Sequence, residues 1–136
     1  MRIGSLAAAL ILAPAAAMAA DCNRPAPIAL APGASSATIA SGEPTGTSDC
    51  YQVAVRGDRV LTVSLDSETG DAAFALYAPG WTAKCDPAGD CELAGDILSD
   101  DETRSWSDAV QDGGAYLIVV DNAKSDSDYR LTVKIE

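Results

Sequence analysis

Apolar residues recur at every second position through this chain, and that period limits its fold more than any other feature. Tyr51, Val53 and Val55 share one side of a stretch whose other side is Gln52, Ala54 and Arg56. Leu61, Val63 and Leu65 alternate with Thr62 and Ser64, and Ala72, Phe74 and Leu76 follow. Tyr116, Ile118 and Val120 make another row, and Tyr129, Leu131, Val133 and Ile135 alternate with Arg130, Thr132 and Lys134. Successive side chains of a strand point to opposite faces, so the pattern predicts half-buried antiparallel strands. Turn-forming clusters at 67–71, 78–80, 111–114 and 122–128 separate the rows. Short strands at such spacing predict a sandwich or a barrel. Past the first twenty residues no window keeps a helical period. Residues 93–101 are a weak helix candidate, or equally a loop.

The first nineteen residues read as something to be removed before folding. MRIGSLAAALILAPAAAMA has one positive charge at Arg2, then an apolar run interrupted by Pro14, then Ala17-Met18-Ala19 as an A-x-A cleavage site. That is the layout of a secretory signal peptide, and the run is short for a membrane span. Asp21 directly before Cys22 argues against a lipid anchor on that cysteine. Taking residues 1–19 from the 136 leaves 117, enough for one domain: an extended Pro-rich arm over 20–35, then a β-domain over 36–136. The leader's only charge is Arg2, so the formal charge of −11 becomes −12 without it. An acidic chain repels nucleic acid and anionic lipid and would attract a basic protein or cations. The expected location is periplasmic or secreted, with no membrane insertion.

Cys22, Cys50, Cys85 and Cys91 are four cysteines in an exported chain, which points to disulfides with three possible connectivities. CDPAGDC is a short polar loop suited to closing on itself, so Cys85 is paired with Cys91 and Cys22 with Cys50. A four-cysteine zinc site would need close pairs such as C-x-x-C, and the chain has none.

Little in the sequence names a reaction. The chain has no histidine, which removes Ser-His-Asp and Cys-His arrangements and the H-E-x-x-H zinc helix. No phosphate loop or dinucleotide fingerprint is present. Asp100-Asp101-Glu102 is the densest carboxylate group, but adjacent acids on a loop read as a solvated patch. The expectation is a binding protein and not an enzyme, with no cofactor. Asp121, Asn122, Asp126 and Asp128 offer oxygen ligands for calcium, though their spacing departs from an EF-hand loop. Arg56-Gly57-Asp58 stands between two alternating runs and reads as a tight hairpin turn rather than an adhesion signal. Trp81 and Trp106 read as caps on a small core, or as binding anchors if exposed. Leu117 and Val119 fall on the face opposite Tyr116 and Ile118, so that second face is either covered or an apolar patch.

The order of the motifs resembles the bacterial pre-peptidase C-terminal domain. YQVAVRGDRVLTVSL, FALYAPG, GAYLIVV and YRLTVKI match that family's aromatic-led strand and turn, F/L-x-L-Y-x-P-G, G-x-Y-x-[IV]-x-V and Y-x-L-x-V segments, over roughly residues 34–135. Within it, GASSATIASGEPTG is similar to the corresponding part of the periplasmic inhibitors of g-type lysozyme. The resemblance implies an antiparallel jelly-roll-like β-sandwich of about seven or eight short strands, without catalytic residues, whose loops plug a lysozyme cleft. It directs attention to Ser41, Gly42, Glu43 and Thr47 in one loop and to Lys124 and Asp126 in another. Thr47 stands where those inhibitors carry an aromatic, and Lys124 where they carry an arginine, which is no equal substitute for a forked guanidinium. The alternative partner class is peptidoglycan, another polymer or calcium, bound by a generic accessory module.

Overall fold

The computed structural model describes Cys22 and residues 24–40, 48–67, 72–88, 91–121 and 129–136. The alternating runs all become strands. Among the described residues there are eleven: β1 Ala26–Ile28, β2 Ser36–Ala40, β3 Ser48–Val55, β4 Arg59–Ser67, β5 Ala73–Tyr77, β6 Thr82–Cys85, β7 Cys91–Ala94, β8 Ile97–Thr103, β9 Ser105–Val110, β10 Gly114–Asp121 and β11 Tyr129–Ile135. They form a five-stranded sheet in the order β1-β3-β10-β5-β8 and a four-stranded sheet in the order β2-β11-β4-β9. The fold is the expected all-β sandwich, with more strands than seven or eight because short segments pair at its margins. In the Pro-rich arm, Ala26–Ile28 adds to the five-stranded sheet in parallel with β3. Residues 93–101, a weak helix or loop in sequence, instead supply parts of β7 and β8. Local apolar residues there were too sparse to show either period.

The core lies between the two sheets and is made by the inward rows. Val53, Leu61, Val63, Phe74, Leu76, Ile118, Leu131 and Val133 are all within 1% of full burial. Each such side chain contributes roughly 1.5–3 kcal/mol relative to exposure. Trp106 is half-buried against this core. The polar halves of the alternation face water: Thr38 meets Thr132 at 3.2 Å and Thr62 meets Ser107 at 2.7 Å on the outer face of the four-stranded sheet.

The outer face of the five-stranded sheet is not bare. Leu117 and Cys50 are fully buried there, and Val119, Tyr77, Trp81, Ala83 and Leu93 pack around them. The cover is the β6–β7 hairpin together with Cys22, which is bonded to Cys50 with the two Cα atoms 5.1 Å apart. Trp81 serves this second cluster, and its indole N–H donates to the Ala115 carbonyl at 3.1 Å. Cys85 is disulfide-bonded, and the hairpin register sets its Cα directly opposite that of Cys91.

Residues 56–58 are a turn but not a hairpin, because β3 and β4 belong to different sheets and the chain crosses between them. The Asp58 N–H donates to the Val110 carbonyl at 2.9 Å, and Asp58 has a φ of 61°. Aspartate tolerates that left-handed conformation better than most residues. A Cβ on Gly57 would stand 2.5 Å from the Gln111 carbonyl oxygen, so glycine is required by close approach to the neighbouring crossing. The tripeptide is therefore explained by backbone packing.

Candidate partner-binding end

The connections between sheets sort by end. β2 leads to β3 through residues 41–47, β4 to β5 through 68–72, β8 to β9 through Arg104, and β10 to β11 through 122–128. Each joins one sheet to the other, and the strand orders set the strand ends they connect side by side, in the order 41–47, 122–128, 68–72, then Arg104. Register confirms that their roots are neighbours. Ala40 pairs with Arg130, Ser48 with Asp121, Tyr129 with Ser67, and Asp121 with Ala73. The Leu65 N–H donates to the Arg104 carbonyl at 2.8 Å, and the Ala72 N–H reaches the Ser67 hydroxyl at 3.4 Å, closing the side of the row. The opposite end carries the crossings at 56–58 and 111–113.

Ser41, Gly42, Glu43, Thr47, Lys124 and Asp126 all lie outside the described residues. Their segments nevertheless spring from adjacent roots at one end, where a rigid sheet presents connecting segments side by side. The calcium reading also falls on 122–128, outside the described residues. Among the described residues no group of three or more Cys, His, Asp or Glu stands together as a metal site. Asp100-Asp101-Glu102 belong to the edge strand β8 and not to a loop, as had been expected. Sequence reasoning missed 68–72 and Arg104 as members of this end. Their membership follows from strand order, which no local signal encodes.

Beneath the row lies a buried polar cluster that sequence reasoning also missed. Asp49, one residue into β3, is 4% exposed, Tyr129 at the start of β11 is 1% and Tyr51 is 7%. The Tyr129 hydroxyl donates to Asp49 Oδ2. Its single proton is then committed, so the Tyr51 hydroxyl, 2.6 Å away, donates to the Tyr129 oxygen. Burial pushes the Tyr129 phenol far above the ordinary tyrosine range, and its bonds to Asp49 and Tyr51 push it further. Burial also raises Tyr51, against the opposing effect of its bond to Tyr129. Both phenols are thereby held in the protonated form that these hydrogen bonds require. The signal available in sequence was a carboxylate at an inward position of the Asp49, Tyr51, Val53 row.

The buried Cys22–Cys50 bridge belongs to an oxidising compartment, the periplasm or the cell exterior. Among the described residues no helix is long and apolar enough to cross a membrane. No protein-family pattern matches the sequence, and no curated protein matches it. Solved structures do. The chain is similar to Aeromonas hydrophila PliG, a periplasmic lysozyme inhibitor of g-type lysozyme, with 24% identity and a TM-score of 0.57 over 82% of this chain and 95% of that one. It is similar to a mutant of the Escherichia coli PliG with 17% identity and a TM-score of 0.50, over 82% and 96% of the two chains. For the Salmonella Typhimurium PliG the values are 16%, 0.50, 81% and 96%. At these identities the likeness is one of fold.

Proposed function

We propose that the protein is an exported, non-enzymatic inhibitor of a g-type lysozyme, or a divergent relative aimed at another protein target. The observation that carries this reading is the likeness to PliG inhibitors over 95–96% of their own length and 81–82% of this chain. The proposed contact residues are Ser41, Gly42, Glu43 and Thr47 between β2 and β3, and Lys124 and Asp126 between β10 and β11. Support for taking the two segments together is that the strand ends flanking them are paired, Ala40 with Arg130 and Ser48 with Asp121. With the leader removed the charge is −12, from −11 less Arg2. Against a basic enzyme it speeds association and makes the rate salt-dependent. Lys124 is assigned to an acidic group of the target.

The test is loss of turbidity of a cell-wall suspension by a g-type lysozyme, with and without the protein, at low and moderate salt. Inhibition that weakens with salt and falls on Lys124→Ala supports the reading and its site. No inhibition at micromolar excess at either salt sinks the inhibitor and leaves the accessory module that binds peptidoglycan, another polymer or calcium. Inhibition that survives both Lys124→Ala and Thr47→Arg keeps the function and removes the site.

A further inference from the structure

Taking a carboxylate out of water is strongly unfavourable unless hydrogen bonds replace its hydration. Asp49 is such a group, held at 4% exposure inside the sandwich by the Tyr129 hydroxyl. Stability does not account for it, because well-packed apolar residues in place of a buried polar group are often neutral or stabilising. What the hydrogen bond adds is direction. The hydrophobic effect is non-directional, whereas a hydrogen bond weakens steeply when its angle or distance changes.

The location gives that direction a use. Asp49 follows Ser48, where β3 emerges from residues 41–47, and Tyr129 opens β11 directly after 122–128. One belongs to the five-stranded sheet and the other to the four-stranded sheet. Their bond therefore spans the gap between sheets at the strand ends that flank residues 41–47 and 122–128. Tyr51, on the same inward row as Asp49, completes the chain from behind at 2.6 Å. We infer that Asp49, Tyr129 and Tyr51 form a positioning cluster that sets the offset between the two sheets at this end and hence the spacing of the strand ends at Ala40, Ser48, Asp121 and Tyr129. The cluster touches no partner; it acts through the roots it holds. This deepens the inhibitor reading and rests on it for the binding measurement alone.

The decisive variant removes all three polar groups together, Asp49→Leu with Tyr51→Phe and Tyr129→Phe, so that no buried group is orphaned. Its urea midpoint is expected at or near that of the unaltered protein. Amide exchange measured residue by residue is expected to quicken tenfold or more at the root pairs Ala40–Arg130 and Ser48–Asp121, and to stay unchanged at the far pair Val55–Gly114. Inhibition of the lysozyme is expected to weaken tenfold or more although stability is retained. Asp49→Asn keeps an acceptor oxygen for the Tyr129 hydroxyl and is expected to restore both. Should the triple variant not fold, Tyr129→Phe alone is measured in the same way below its unfolding range. Unchanged exchange at the roots, or full inhibition by the stable triple variant, overturns the inference. If the unaltered protein inhibits no lysozyme, the functional reading fails and the exchange measurement alone decides the cluster's role.

Discussion

Removing one oxygen from Tyr129 and one from Tyr116 makes a matched pair of perturbations, because both tyrosines are almost fully buried and both donate a hydrogen bond. Tyr129→Phe takes away the donor to the Asp49 carboxylate and the acceptor of the Tyr51 hydroxyl. Hydrogen bonds to a charged group contribute about 1.5–3 kcal/mol and neutral ones about 0.5–1.5 kcal/mol, and neither orphaned partner reaches water. A loss of about 2–4 kcal/mol follows. Tyr116→Phe removes a 2.6 Å bond to the Asp112 carbonyl, in an exposed turn. That carbonyl rehydrates, so the loss is about 0.5–1.5 kcal/mol. The readout is the urea midpoint followed by tryptophan fluorescence, with equal slopes required for comparison. A Tyr129→Phe midpoint no lower than that of Tyr116→Phe refutes the assignment of Asp49 as a buried group dependent on that hydroxyl.

Tyr51 and Tyr129 together predict alkaline instability. Their folded values lie above the ordinary 10.0, so the stability they contribute is complete below about pH 10 and declines above it as the unfolded chain ionises. The slope is up to about 1.4 kcal/mol per pH unit for each tyrosine. Phenolate absorbance should therefore appear together with unfolding, and a steady native titration of Tyr51 and Tyr129 near pH 10 contradicts it. Gly57→Ala places a methyl group 2.5 Å from the Gln111 carbonyl oxygen and is expected to cost about 1–3 kcal/mol, read as a lowered urea midpoint. Peptide mapping without reductant should yield Cys22 linked to Cys50 and Cys85 linked to Cys91. The 28-residue separation of the first pair predicts a loss of about 3–4 kcal/mol when it is opened by Cys22→Ser with Cys50→Ser, measured by the same unfolding assay.

Which residues point inward was legible from the chain alone, because side-chain alternation is a property of each strand by itself. Tyr51, Val53, Leu61, Val63, Phe74, Ile118, Leu131 and Val133 were all placed on inward rows by period, and all are buried. The turn at Gly57-Asp58 was legible for the same reason: its residues answer to local backbone geometry. Which strands lie side by side was not, since pairing joins residues such as Tyr129 and Ser67 that are far apart in sequence and carry no mark of one another. Tertiary structure alone therefore made a connection of residues 56–58 between sheets where a hairpin was expected. It drew β6 and β7 over Leu117, and it set the strand ends joined by four crossings side by side at one end. It also decided the meaning of Asp49. In sequence that residue is a polar interruption of an apolar row. In the fold it meets the hydroxyl of Tyr129 across the sandwich, and only there does burying a carboxylate find its compensation.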